Sequence, residues 1–106
     1  MQVVGIIAEY NPFHHGHRFQ IEELRKSYPA ARIVAVMSGS FTQRGAPCVL
    51  DKWMRARHAV TGGADLVLEL PFAFACRSAQ DFARGGVSLL SRLGIVSHLA
   101  FGTEAD

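Results

Sequence analysis

Apolar positions along the chain fall into two kinds of run. Val3-Val4-Gly5-Ile6-Ile7-Ala8, Ile33-Val34-Ala35-Val36-Met37 and Leu66-Val67-Leu68 are continuous. Strands of a parallel sheet, covered on both faces, read this way. Between them, apolar residues recur every three or four positions, the spacing of one helix face. The pattern predicts strands over Val3–Ala8, Arg32–Met37, Leu66–Leu70 and Ser97–Phe101. It predicts helices over His15–Ser27, Lys52–Thr61 and Ala79–Leu93. The order β-α-β-α-β-α-β implies an α/β architecture with a parallel sheet and right-handed crossovers. A strand order 3-2-1-4 would make strands one and four neighbours and put the switch point between them.

Local signals sharpen these elements. The first helix carries Phe13, His17, Ile21 and Leu24 on one stripe, with Glu22 and Glu23 on a solvated face, and ends at Tyr28-Pro29. Asp51 reads as the N-cap of the second helix and Gly62-Gly63 as its end. Trp53, Ala56 and Val60 are its expected buried stripe, and Lys52, Arg55 and Arg57 its cations. Asp65 is expected to close the turn before the third strand; Glu69 either faces solvent at a sheet edge or sits in the site, and edge position is the cheaper explanation. Pro71 stops that strand, and Phe72–Cys76 forms an apolar connection. Ser78-Ala79-Gln80-Asp81 reads as a capping-box variant for the last helix, which Gly94 ends. Gly85-Gly86 in mid-helix costs on the order of 1 kcal/mol per residue relative to Ala, a cost that close approach to the sheet or to a ligand explains.

With 106 residues the chain is long enough for one small domain with one core. Its net charge of +2 permits phosphate or nucleic-acid ligands without arguing for them. All its basic residues except Lys26 and Lys52 are Arg, which suits bidentate phosphate contacts. Cys48 and Cys76 are isolated and read as free thiols of a reducing, cytoplasmic compartment. No apolar run approaches membrane-spanning length, so no membrane role is expected.

Candidate chemistry collects where the first strand hands over to the first helix. After Asn11-Pro12 comes His14-x-Gly16-His17. A helix N-terminus at the carboxyl end of a central strand presents free N–H groups and a positive dipole end to anions. Gly16 without a Cβ lets a triphosphate lie near the backbone, and both imidazoles can reach its oxygens. Three readings fit these residues: a phosphate cradle, an incidental surface cluster, or part of a metal site. The other histidines, His58 and His98, have no ligand-like neighbours in sequence. The loop Ser38–Pro47 follows the second strand at the same sheet edge and reads as a substrate loop or an ordinary connection. Gly102-Thr103-Glu104, beyond the fourth strand, would form a second wall of the crevice.

Asn11-Pro12-Phe13-His14-His15-Gly16-His17 resembles the HxGH signature of the nucleotidyltransferase superfamily. Glu9-Tyr10-Asn11 replaces the Thr-Phe-Asp opening of its small-molecule adenylyltransferases. That opening, with Met37-Ser38-Gly39, Gln43-Arg44-Gly45, Lys52-Trp53, Glu69-Leu70-Pro71, Phe82-Ala83-Arg84-Gly85 and Phe101-Gly102-Thr103-Glu104, resembles the bacterial tRNA(Met) cytidine acetate ligase family.

The resemblance implies a Rossmann-like three-layer HxGH fold. It also implies an enzyme that makes acetyl-adenylate from ATP and acetate and acetylates N4 of the wobble cytidine of elongator tRNA(Met). By the same resemblance ATP is lined by Ile7, Ala8, Glu9, Tyr10, Asn11, Pro12, Phe13, His14, His15, Gly16, His17, Arg18, Phe19, Gln20 and Gly102. His14 and His17 are the catalytic pair on the phosphates. Ser38, Gly39, Arg44 and Lys52 are candidate contacts for tRNA or acetate. Mg²⁺ is expected because ATP carries it, and no protein metal ligands are assigned. His15 stands where the family has Asn. Family members are several times longer, so residues 1–106 are expected to be an N-terminal ATP-binding domain, truncated relative to them. A small-molecule adenylyltransferase and a non-catalytic nucleotide-binding fragment are the alternatives.

Overall fold

A computed structural model describes residues 2–10, 13–39, 48, 50–70 and 79–100, with backbone alone at 79–81. The strands are β1 (Val3–Ala8), β2 (Arg32–Ser38), β3 (Leu66–Leu70) and β4 (His98–Ala100). The helices are α1 (His15–Ser27), α2 (Lys52–Thr61) and α3 (Ala79–Leu93). The four strands form one parallel sheet in the order β3-β2-β1-β4. Gly5, Ile6 and Ile7 lie opposite Val34, Ala35 and Val36 of β2, and Gly5 and Ile6 opposite Leu99 and Ala100 of β4. The expected strand order is thus observed. The fourth strand starts one residue later than expected, at His98, and Phe101 lies outside the described residues, as do Phe72–Cys76 and Ser78.

Strand alternation sorts the core into two layers. Ile6, Ile33, Ala35 and Met37 point to α1 and α2, meeting Ile21, Leu24, Ala56 and Ala59. Val3, Ile7, Val34 and Val36 point to the other face, meeting Phe82, Leu89, Leu90 and Leu93 of α3. The crossover from β3 to β4 steps back over the sheet, and with right-handed connections that puts α3 on the opposite face. A Cβ at Gly86 would come within 2.8 Å of the Ile7 side chain. Close packing on β1 therefore accounts for the mid-helix glycine.

At the amino edge an ion-pair cluster fastens three elements. Arg25 of α1 donates to the carbonyls of Ala31 (2.6 Å) and Gly63 (2.7 Å) and to Asp65 Oδ2 (2.8 Å). The same oxygen accepts from the Ile33 N–H at 2.7 Å, and Arg32 lies 3.7 Å from Asp65 Oδ1. Asp65 thus does more than close its turn.

Partial burial disfavours ionisation of Asp65. The Ile33 N–H, the Arg25 hydrogen bond and the charges of Arg25 and Arg32 outweigh it and hold the carboxyl below the ordinary carboxylate range. A carboxylate held below its unfolded value stabilises the fold above that value, and the contribution is lost as pH falls through the folded one. Asp65→Asn should therefore melt below wild type at pH 7, and the two melting curves should converge as pH drops below about 4. Parallel melting curves down to acid pH would count against the role of Asp65.

Candidate functional site

The carboxyl end of β1 turns sharply before α1. Tyr10 has φ +52°, and among the described residues it is the sole non-glycine with positive φ. That conformation costs roughly 1–2 kcal/mol for an L-residue and persists only where the surroundings impose it. The Tyr10 ring is buried, 4.9 Å from Phe13 and 4.8 Å from His17 between centroids, both edge-on. Its hydroxyl has no hydrogen-bond partner among the described residues.

His14 is the N-cap of α1, an unusual residue in that position. The Gly16 N–H donates to His14 Nδ1 at 3.1 Å, and the His14 N–H donates to His17 Nδ1 at 3.2 Å. This is a reciprocal capping box built from two imidazoles in place of Ser and Glu. The rings stack 3.7 Å apart with an 18° interplanar angle. A neutral imidazole carries one N–H. With both Nδ1 atoms accepting, the hydrogen-bond pattern assigns that proton to Nε2 in each ring. The cap therefore fixes two parallel donors at the positive end of α1. No acidic residue occupies the first turn to neutralise that end.

Gly16 has a local packing role as well. A Cβ there would come within 2.9 Å of the His14 ring, so the missing side chain makes room for the cap. Beside His14 opens a cavity of about 400 Å³ with Phe13, His15, Arg18 and His58 in its wall. His58 was not legible as a neighbour of this cluster; α2 brings it there. His98 lies elsewhere, 2.8 Å from Ser97 Oγ at the start of β4. Among the described residues no group of three or more His, Cys, Asp or Glu side chains can hold a metal ion.

The remaining candidates divide. Ala8 packs on the α1–α2 core and Ile7 on the α3 core. Glu9 joins β1 to Tyr10, and its carbonyl accepts from Arg55. Arg18 pairs with Glu22 at 3.3 Å, Phe19 is exposed and Gln20 is half-buried. Ser38 is buried, and its Oγ has no partner among the described residues. At Gly39 a Cβ would clash with the Glu69 carboxylate. Lys52 pairs with Glu69 at 2.8 Å, and Glu69 is exposed on the edge strand β3. The Cys48 thiol donates to the Gly39 carbonyl at 3.6 Å. Asn11, Pro12, Arg44, Cys76 and Gly102 to Glu104 lie outside the described residues.

The second helix corrects the expected packing. Asp51 caps it as expected, accepting from the Met54 N–H at 2.8 Å. However, Trp53 is 75% exposed and Val60 51% exposed, while Arg55 is 0% exposed. The buried line runs through Arg55, Ala56 and Ala59, about one residue round from the expected stripe. Arg55 turns inward because it finds carbonyls there. Its Nε donates to Leu50 O at 3.0 Å, and its Nη1 to Glu9 O at 2.7 Å and Ser38 O at 3.2 Å. Its Nη2 donates to Gly39 O.

Comparisons with known proteins agree with this geometry. A family model described as HIGH Nucleotidyl Transferase matches residues 1–106. A tRNA(Met) cytidine acetate ligase of Syntrophomonas wolfei is 55% identical over 105 residues, covering 99% of this chain and 25% of the relative. One from Lactobacillus delbrueckii is 56% identical over 104 residues, covering 98% and 27%. The crystal structure of Thermotoga maritima TmcAL bound with alpha-thio ATP superposes with a TM-score of 0.92 at 46% identity, covering 98% of this chain and 25% of that one. The chain spans about a quarter of the length of the curated relatives it matches.

Burial raises the Tyr10 phenol from 10.0 to about 12. A raised folded value stabilises the fold below the unfolded value, and the contribution is lost as pH rises through the folded one. Wild type should therefore weaken between pH 10 and about 12, and Tyr10→Phe should abolish that step. Relieved of an unsatisfied buried hydroxyl, Tyr10→Phe should gain about 1 kcal/mol at pH 7. A denaturant melt showing a loss of that size would reveal a partner for the hydroxyl.

Proposed function

The chain belongs to the HIGH Nucleotidyl Transferase family, and from that premise we propose that it is the ATP-binding part of a tRNA(Met) cytidine acetate ligase. The observation that carries this reading is the reciprocal His14–His17 cap, with two Nε2 donors fixed at the N-terminus of α1. The names of the relatives and the ATP analogue in the Thermotoga maritima structure support it.

In this reading the triphosphate of ATP lies at the α1 N-terminus. His14 and His17 donate from Nε2 to its oxygens, and the helix dipole adds to their field. An acetate oxygen attacks the α-phosphorus, and the bond to the β-phosphate oxygen breaks. Pyrophosphate leaves and acetyl-adenylate forms. Negative charge grows on the leaving pyrophosphate, where preorganised donors are worth most. The N4 amine of the wobble cytidine then attacks the acetyl carbonyl. AMP departs, and the amine loses one proton. Mg²⁺ accompanies ATP as counter-ion to the phosphates. Lys52, at the same carboxyl edge, is the candidate to meet acetate or the tRNA, with Arg44 a candidate from the sequence alone; Ser38 and Gly39 are buried.

The test is carried out on the full-length enzyme with ATP, labelled acetate and tRNA(Met). N4-acetylcytidine should appear with one pyrophosphate released per acetyl transferred. His17→Ala should cut kcat by about 10²–10³-fold, the loss typical of a single oxyanion donor. Absence of acetylcytidine from wild type would refute the reading, and undiminished kcat in His17→Ala would remove His17 from the chemistry.

A further inference from the structure

Arg55 makes no contact with the His14–His17 pair in the described hydrogen bonds, yet it borders the turn that places it. Its acceptors come from three separate segments: Glu9 after β1, Ser38 and Gly39 at the end of β2, and Leu50 before α2. None of the ion pairs among the described residues includes Arg55. The guanidinium thus spends its charge on backbone carbonyls.

We infer that Arg55 is a positioning residue for the histidine pair, acting through the Glu9–Tyr10 peptide. The carbonyl of Glu9 belongs to the peptide plane that leads directly into Tyr10. Holding that oxygen at 2.7 Å fixes the plane before the left-handed residue. Tyr10 at φ +52° puts its ring edge-on to His17 at 4.8 Å and to Phe13 at 4.9 Å. His17, so walled, receives the His14 N–H on its Nδ1. Release of Glu9 O lets Tyr10 relax to negative φ, which withdraws the ring from His17 and loosens the cap. Arginine is needed because its planar fork reaches several carbonyls at once; a lysine ammonium has three donors on one atom.

The consequence for ligand binding rests on the reading of His14 and His17 as phosphate donors. The effect on the rings does not, and the experiment separates the two. Ring ¹⁵N spectra report the histidine tautomers, calorimetry reports ATP affinity, and circular dichroism reports folding. The samples are wild type, Arg55→Lys, Tyr10→Gly and the double variant. Wild type should show both rings protonated at Nε2 alone. Arg55→Lys should fold, show His17 averaging between tautomers and bind ATP at least tenfold more weakly. Tyr10→Gly tolerates positive φ but carries no ring, so adding Arg55→Lys to it should change neither the His17 tautomer nor the ATP affinity further.

An unchanged His17 tautomer in folded Arg55→Lys would overturn the inference, as would effects of the two substitutions that simply add. If Arg55→Lys does not fold, an ester in place of the Glu9–Tyr10 amide weakens the same acceptor with Arg55 intact. That variant must show the averaging, and a fixed Nε2 tautomer there would overturn the inference. Failure of wild type to bind ATP would refute the phosphate reading, and the ring spectra would still decide the role of Arg55.

Discussion

The carboxyl edge of this sheet depends on one buried guanidinium. Taking a charge out of water costs several kcal/mol unless it is paired or richly hydrogen-bonded. Arg55 meets that condition with four backbone carbonyls. Those carbonyls sit where β1, β2 and the segment before α2 leave regular structure, where the sheet ladder no longer satisfies them. The charge and the carbonyls solve each other's problem. The amino edge uses a second arginine in a related way, with Arg25 donating to two carbonyls and to Asp65. Between these two fastenings lies an apolar sheet.

The frame was legible because apolar patterning decides it. Continuous runs at β1 and β2 mark strands covered on both sides, and the structure buries residues of both runs in two opposed layers. The bounds of all three helices match those expected from the sequence. Gly86 was read correctly as a close approach, and Ile7 is what it approaches. The orientation of α2 was misjudged because hydropathy places tryptophan inside and arginine outside. Trp53 and Val60 face solvent because the carbonyls beneath α2 draw Arg55 inward. Nothing in local spacing reports a distant set of unsatisfied carbonyls.

The site shows the same division. The motif His14-x-Gly16-His17 and its place at the start of a helix were readable from sequence. The way the residues serve it was not. Gly16 clears space for the His14 ring, and the two histidines cap the helix that they are also placed to serve as donors. In the proposed reading the helix cap and the phosphate donors are one arrangement. Accepting backbone N–H groups on Nδ1 consigns each proton to Nε2. A cap built from Ser and Glu would satisfy the helix but put a carboxylate, which only accepts, where His17 offers an N–H. This explains why imidazoles occupy positions that helix stability alone would give to shorter side chains.

A crystal structure of the protein with a non-hydrolysable ATP analogue tests the central claim most directly. The account predicts phosphate oxygens within about 2.7–3.2 Å of Nε2 of both His14 and His17, with the Nδ1 caps to the backbone unbroken. A triphosphate bound away from the α1 N-terminus, or one reached only after those caps break, would contradict it.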